Sequence, residues 1–180
     1  MKLTAKPKTR TEQILSVMHI LAWVAFVAFM IEAGAMLFSF IVSCSNPEGA
    51  KNLYKGLNYY DLRQMNFWYY TGVVSFKVSI VLMKAFVWIL VIKLFSKFNL
   101  ENPFNMEIVK ILEKISYMLF SIWLVGMTSS GYTAWLMKLT GKMYGDWVAG
   151  EYIFMAGLIF IISQIFKRGV ELQSESDLTI

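Results

Sequence analysis

Four long apolar stretches occupy most of the chain, at residues 14–42, 71–95, 115–137 and 147–166. Each is near or above the roughly twenty residues that a helix needs to cross a hydrocarbon core of about 30 Å. A water-soluble domain of 180 residues could not hide the apolar surface implied by 57% hydrophobic content and a mean hydropathy of +0.54. The chain therefore reads as an all-α integral membrane protein, one domain over residues 1–180. Its architecture is a bundle of four transmembrane helices, with the lipid bilayer as the surrounding partner.

Lys2, Lys6, Lys8 and Arg10 precede the first stretch, as basic residues precede a signal peptide. Its apolar run is about twice the length of a signal h-region, so the expectation is a retained helix. Ile41-Val42-Ser43-Cys44 loosely matches a lipoprotein cleavage pattern, and cleavage there is the less favoured reading. Cys44 is the only cysteine and His19 the only histidine. One cysteine cannot form an internal disulfide, which excludes cysteine-pair quinone reductases and scaffolds with bridged outer loops. One histidine excludes bis-histidine haem. A His–Met haem stays formally open with 12 methionines, but methionine in an apolar helix is usually filler. No cofactor and no metal are expected.

Loop charge sets the expected orientation. With a cytoplasmic N-terminus, the inner segments hold Lys2, Lys6, Lys8, Arg10, Lys93, Lys97, Lys110, Lys114, Lys167 and Arg168. The outer loops hold only Lys51, Lys55, Arg63, Lys138 and Lys142. The positive-inside bias thus places both termini in the cytoplasm. Phe67-Trp68-Tyr69-Tyr70, Tyr144 and Trp147 flank the second and fourth stretches, where amphipathic rings favour the headgroup level. A ligand-binding aromatic cluster is the sharper, less favoured alternative.

The longest connection follows the first span. Asn46-Pro47-Glu48-Gly49 is turn chemistry, and Leu53, Leu57 and Tyr60 recur near helical spacing, which suits a short surface helix. On the inner side Asn102-Pro103 breaks the chain, Asn105 can cap, and Glu107 falls in the first turn of a new helix. Ile108, Ile111, Leu112 and Ile115 share a face opposite Lys110, Glu113 and Lys114. This pattern suits a short inner amphipathic helix before the third span. A plain extension of that span is an equal alternative.

Charges within the apolar stretches carry the most chemistry. Lys77 and Lys84 together cost roughly 5–7 kcal/mol on an insertion scale, against roughly 4.5–9 kcal/mol returned by about fifteen strongly apolar residues around them. That helix is near break-even alone and depends on its neighbours. At 1.5 Å per residue Glu32 lies about 15 Å inward from Val42, while Lys77 and Lys84 lie about 9 and 20 Å inward from Thr71. Glu32 is thus bracketed by two lysines spaced i, i+7. The expectation is a Glu32–Lys84 intramembrane charge pair, with Lys77 the second candidate; an ion or proton relay is the sharper reading. Gly126, Thr128, Ser129, Ser130 and Gly131 form a small, hydroxylated stretch expected to make a polar seam between helices.

The fourth stretch ends at Phe166-Lys167-Arg168-Gly169, where the glycine can terminate the helix and leave a cytoplasmic tail at 167–180. From Phe166 the chain continues Val170-Glu171-Leu172-Gln173-Ser174-Glu175-Ser176-Asp177-Leu178-Thr179-Ile180. This ending, with Asn102-Pro103-Phe104 ahead of a basic helix, resembles the DUF2975 family of small four-span bacterial membrane proteins with no assigned activity. The resemblance covers the whole layout, although only about twenty residues are specific. It implies a bacterial inner-membrane location. Members are often encoded beside a Cro-like helix-turn-helix regulator, which implies a membrane protein that holds or releases a transcription factor. Arg168, Gly169, Glu171, Glu175 and Asp177 then form the candidate partner-binding tail. Its acidic residues suit a basic DNA-binding partner and not nucleic acid itself, while a tail that is merely solvated, or folds back onto the inner hairpin, is the bland alternative.

The competing class is a small transporter or an immunity factor against a membrane-active compound, carried by Glu32, Lys77, Lys84 and the third-span hydroxyls. An enzyme is not expected. No Gly-x-Ser-x-Gly, His-Glu-x-x-His or phosphate-loop motif is present. His19 and Cys44 lie about 37 Å apart along one straight helix.

Overall fold

The computed structural model describes residues 9–100, 103–145 and 150–177. Among these the chain is all-α: α1 (Arg10–Ser45), a 3-10 turn (Pro47–Lys51), α2 (Tyr60–Met65), α3 (Phe67–Lys97), α4 (Met106–Thr140) and α5 (Glu151–Asp177).

Local chemistry sets the helix ends. Thr9 and Glu12 form a capping box at the start of α1: the Thr9 backbone N–H donates to Glu12 Oε2 at 2.7 Å, and the Glu12 N–H donates to Thr9 Oγ1 at 3.3 Å. Asn66 caps α3 by accepting from the Trp68 and Tyr69 N–H groups. Asn105 caps α4 by accepting from the Glu107 N–H at 2.8 Å, as its place after Pro103 suggests. Gly141, at φ 70°, closes α4 in the left-handed conformation and donates its N–H to the Met137 carbonyl.

Three helices, α1, α3 and α5, are long and apolar enough to cross a membrane. Ile20, Val24, Ile31, Phe38 and Ile41 of α1 and Phe154, Ile161 and Ile165 of α5 point away from the protein. Such continuous exposed apolar faces suit lipid and not water. α4 is as long, at 35 residues, but turns more of its surface inward.

The long helices pack in chain order: α1 on α3, α3 on α4, α4 on α5. Among the described residues α1 and α5 do not pack together, so the four form an open row and not a closed bundle. Two cores result. At the end bearing the 46–66 loop, Met36, Tyr70, Val73, Val78, Leu136 and Tyr144 pack with Ala50, Leu53, Tyr59 and Leu62 of the loop itself. At the other end Leu90, Ile111, Ile115, Leu119, Ile122 and Ala156 pack together.

Several expectations are corrected. The amphipathic segment at Ile108, Ile111, Leu112 and Ile115 is not a separate helix lying on the inner leaflet. It is the start of the continuous α4, because no breaker intervenes and that apolar face is buried against the protein itself. The helix does not stop at Gly169 either; α5 continues to Asp177. Gly169 serves close packing instead, since a Cβ there would overlap the Phe104 ring of the α3–α4 connection. The fourth helix begins at Glu151, and Trp147 lies outside the described residues. In the loop, the helix is Tyr60–Met65 alone. Leu53 and Leu57 instead bracket a turn through Lys55 and Gly56, with the Leu53 N–H donating to the Leu57 carbonyl at 2.8 Å.

Candidate binding cavity

Glu32 on α1 and Lys77 and Lys84 on α3 line one cavity of about 320 Å³. Their i, i+7 spacing puts both lysines on one face of α3, and α1 brings Glu32 to the same wall. Ser129 and Thr133 of α4 and Tyr152 of α5 complete the polar lining, so all four long helices contribute. Tyr144 and Gly145 close it on the loop side with Leu57.

Within this cavity Glu32 does not make the expected direct ion pair with Lys84 or Lys77. The Lys84 ammonium lies 5.5 Å from the Tyr152 ring centre and 6.0 Å from that of Phe29. Two aromatic faces thus offer the cation partial electrostatic compensation. No side-chain nitrogen or oxygen among the described residues is both sealed and without a hydrogen-bond partner. The charged atoms of Glu32 and Lys84 are therefore not sealed off, and both residues line the cavity.

The hydroxyls expected to form one seam divide instead. Ser129 faces the cavity. Thr128 faces outward and donates to the Leu124 carbonyl of its own helix, and the Ser130 carbonyl accepts from Thr133. The reason is angular: adjacent helical positions point about 100° apart, so three in a row cannot share a face. The polar contacts between helices lie elsewhere. Ser116 donates to the Ala156 carbonyl at 2.8 Å, and Gln164 donates to Glu113 at 3.3 Å, both joining α4 to α5. At α3–α4, a Cβ on Gly72 would sit 2.7 Å from Tyr132 Oη, so the missing side chain lets the ring approach.

The 46–66 loop is a packed lid. Tyr59 donates its hydroxyl to the Tyr144 carbonyl at 3.0 Å, and Arg63 Nε donates to the Ser43 carbonyl at 3.2 Å while its guanidinium covers Phe67. Ser43 and Tyr70 share a buried hydroxyl–hydroxyl bond of 2.9 Å. Asp61 pairs with Lys142 beyond the end of α4, and this hydrogen bond with its ionic attraction raises the Lys142 pKa. A second cavity, of about 440 Å³, lies under Gly56–Tyr59 and shares Leu57, Lys77, Tyr144 and Gly145 with the first. Of the aromatic residues assigned to a headgroup belt, Trp68 is 76% exposed, whereas Tyr70 and Tyr144 are buried in the lid core. Only their place against the loop distinguishes the two roles.

At the opposite end, Arg168 bonds Glu171 at 2.9 Å and approaches Glu175 at 4.0 Å along α5. Phe104 packs against Phe166 with ring centres 5.6 Å apart and planes tilted by 57°, and Lys97 bridges to Glu107 at 3.1 Å. The α3–α4 connection is thereby docked onto α5. The side chain of Asp177 lies outside the described residues.

No curated protein and no solved structure matches the chain. The model of DUF2975, a protein family of unknown function, matches residues 3–180. Matched over nearly its whole length, the chain belongs to the DUF2975 family.

Proposed function

We propose that the chain is a non-enzymatic, four-span protein of the bacterial inner membrane, with both termini cytoplasmic. In this reading it holds or releases a cytosolic helix-turn-helix regulator through the charged end of α5. α4 supplies the fourth span, its 35 residues rising about 52 Å.

The observation that carries this reading is the shape of α5. Its 27 residues rise about 40 Å, roughly 10 Å more than a hydrocarbon core is thick. The surplus is about the last seven residues of α5, where Glu171 and Glu175 are exposed on a formed helix; Lys167 and Arg168 stand at its membrane edge, and Phe104 braces it at Gly169. Beyond Arg168 the described helix carries acidic residues and no basic one, and a preformed helix pays less ordering entropy on binding than a loose tail. Opposite charge steers a basic partner toward it.

Co-purification with a helix-turn-helix regulator, sought among the neighbouring genes, tests this. Capture that depends on residues 168–180 and weakens with Glu171→Gln plus Glu175→Gln supports it. Equal capture by the truncated chain refutes it. The cavity favours a second reading, a small transporter or immunity factor, because its charges sit within the apolar stretches. Under that reading Glu32→Gln or Lys84→Met abolishes protection of cells, and full protection by both variants removes it.

A further inference from the structure

We infer that the charged cavity binds a small zwitterion, with its cationic nitrogen against Glu32 and its anionic group against Lys84. The site is independent of any partner at the end of α5.

The argument starts from electrostatics at depth. Glu32 and Lys84 sit in different helices, within stretches apolar enough to cross a membrane, and both face one cavity. Charge is costly there unless paired, yet the two are not paired with each other. A monovalent ion would compensate one and leave the other. A molecule carrying both signs compensates both, and each of its charges gains a charge-assisted hydrogen bond in a low-dielectric setting. The Lys84 ammonium lies over the rings of Tyr152 and Phe29, neither of which is a hydrogen-bonding anion, so it retains donor capacity for an anionic group. Ser129, Thr133 and Tyr152 add neutral hydrogen-bonding groups around the same space.

Size and access narrow the class. About 320 Å³ is at the small end of ligand sites, room for a headgroup or an amino acid and not for acyl chains. Two sources fit that chemistry. The second cavity leads from under the lid past Lys77, a route for a free solute. The unpacked side between α1 and α5 is a route for the headgroup of a zwitterionic lipid.

The test is calorimetric titration of the full chain in a nonionic maltoside detergent with four probes. Glycerophosphoethanolamine and leucine carry both charges; glycerol phosphate carries only the anion and ethanolamine only the cation. Saturable binding of at least one zwitterion, tenfold or more tighter than both single-charge probes, is expected. The tighter zwitterion names the source, lipid headgroup or free amino acid. Glu32→Gln should erase the preference over glycerol phosphate, and Lys84→Met the preference over ethanolamine. Lys84→Arg should retain binding within about threefold, which keeps the test decisive if Lys84→Met fails to fold. Equal affinity for all four probes, no saturable binding of either zwitterion, or an unchanged preference in Glu32→Gln would overturn the assignment. Loss of regulator capture with zwitterion binding intact would count against the partner reading alone.

Discussion

Removing one oxygen atom from Tyr59 tests whether the 46–66 loop is a structural lid or a passive connection. The ring of Tyr59 is 5% exposed, and its hydroxyl donates to the Tyr144 carbonyl, 85 residues away, at 3.0 Å. Tyr59→Phe keeps the ring and its edge-on contact with Tyr144 but deletes the donor. The net loss of one such bond is about 0.5–1.5 kcal/mol, and a buried carbonyl left without a partner costs about 1–3 kcal/mol. The expected destabilisation is therefore about 1–3 kcal/mol, or a drop of roughly 2–12 °C in Tm at about 2–4 °C per kcal/mol for a chain of this size. Tyr60→Phe is the matched control. Its hydroxyl accepts only from Gln64 on the exposed side of α2, so its cost should stay below about 0.5 kcal/mol. Thermal unfolding in detergent, followed by circular dichroism, reads the difference. Hydrogen exchange should show faster amide exchange over residues 50–66 in Tyr59→Phe alone. Equal Tm values for the two variants would refute this bond's part in the lid, because they would mean that the tie from Tyr59 to the Tyr144 carbonyl contributes nothing to the fold.

Glu32→Gln, Lys84→Met and the double variant should combine almost additively, with a coupling below about 1 kcal/mol, because no direct ion pair joins the two side chains; a coupling near the roughly 3–5 kcal/mol of a broken buried pair would contradict the geometry. Gly169→Leu should push Phe104 off α5 and cost about 1–3 kcal/mol by overpacking, and faster protease cleavage in residues 98–105 than in the parent checks it. Ser116→Ala should cost about 1 kcal/mol in detergent unfolding through loss of its bond to the Ala156 carbonyl, whereas Ser121→Ala, whose hydroxyl bonds its own helix, should cost less. The Lys142 pKa is raised by Asp61, so the stabilisation is full below the ordinary lysine value and disappears as pH climbs through the folded one. Any Tm gap between parent and Lys142→Met should therefore stay flat from pH 6 to 9 and close only under strong alkali.

What was legible in the sequence follows from what one dimension can encode. Apolar length, cap residues such as Asn105, and the rise per residue are properties of a single helix. Depth arithmetic along two helices accordingly put Glu32 level with Lys77 and Lys84, and the cavity wall holds all three. Whether they touch depends on how far apart α1 and α3 stand and which rotamers the rings of Phe29 and Tyr152 allow, and periodicity is silent on both. The same limit hid the role of Gly169, whose partner Phe104 lies in a connection 65 positions earlier. It also hid Tyr70 and Tyr144. A tyrosine at the end of an apolar run has the same local signature whether a headgroup or a folded loop covers it. Thr128, Ser129 and Ser130 divide for a simpler reason, since consecutive helical residues cannot share one face.

Among the long helices α1 leans on α3 alone, whereas α3 and α4 each have two long neighbours. Tilting α1 strains its seam with α3 and its ties to the 46–66 loop, and leaves the α3–α4–α5 slab whole. Glu32 rides on α1 while Lys84 belongs to α3, so the gap between the two charges spans the seam between these helices. Anything that bridges them would tighten the first helix against the rest, and its departure would let that helix relax.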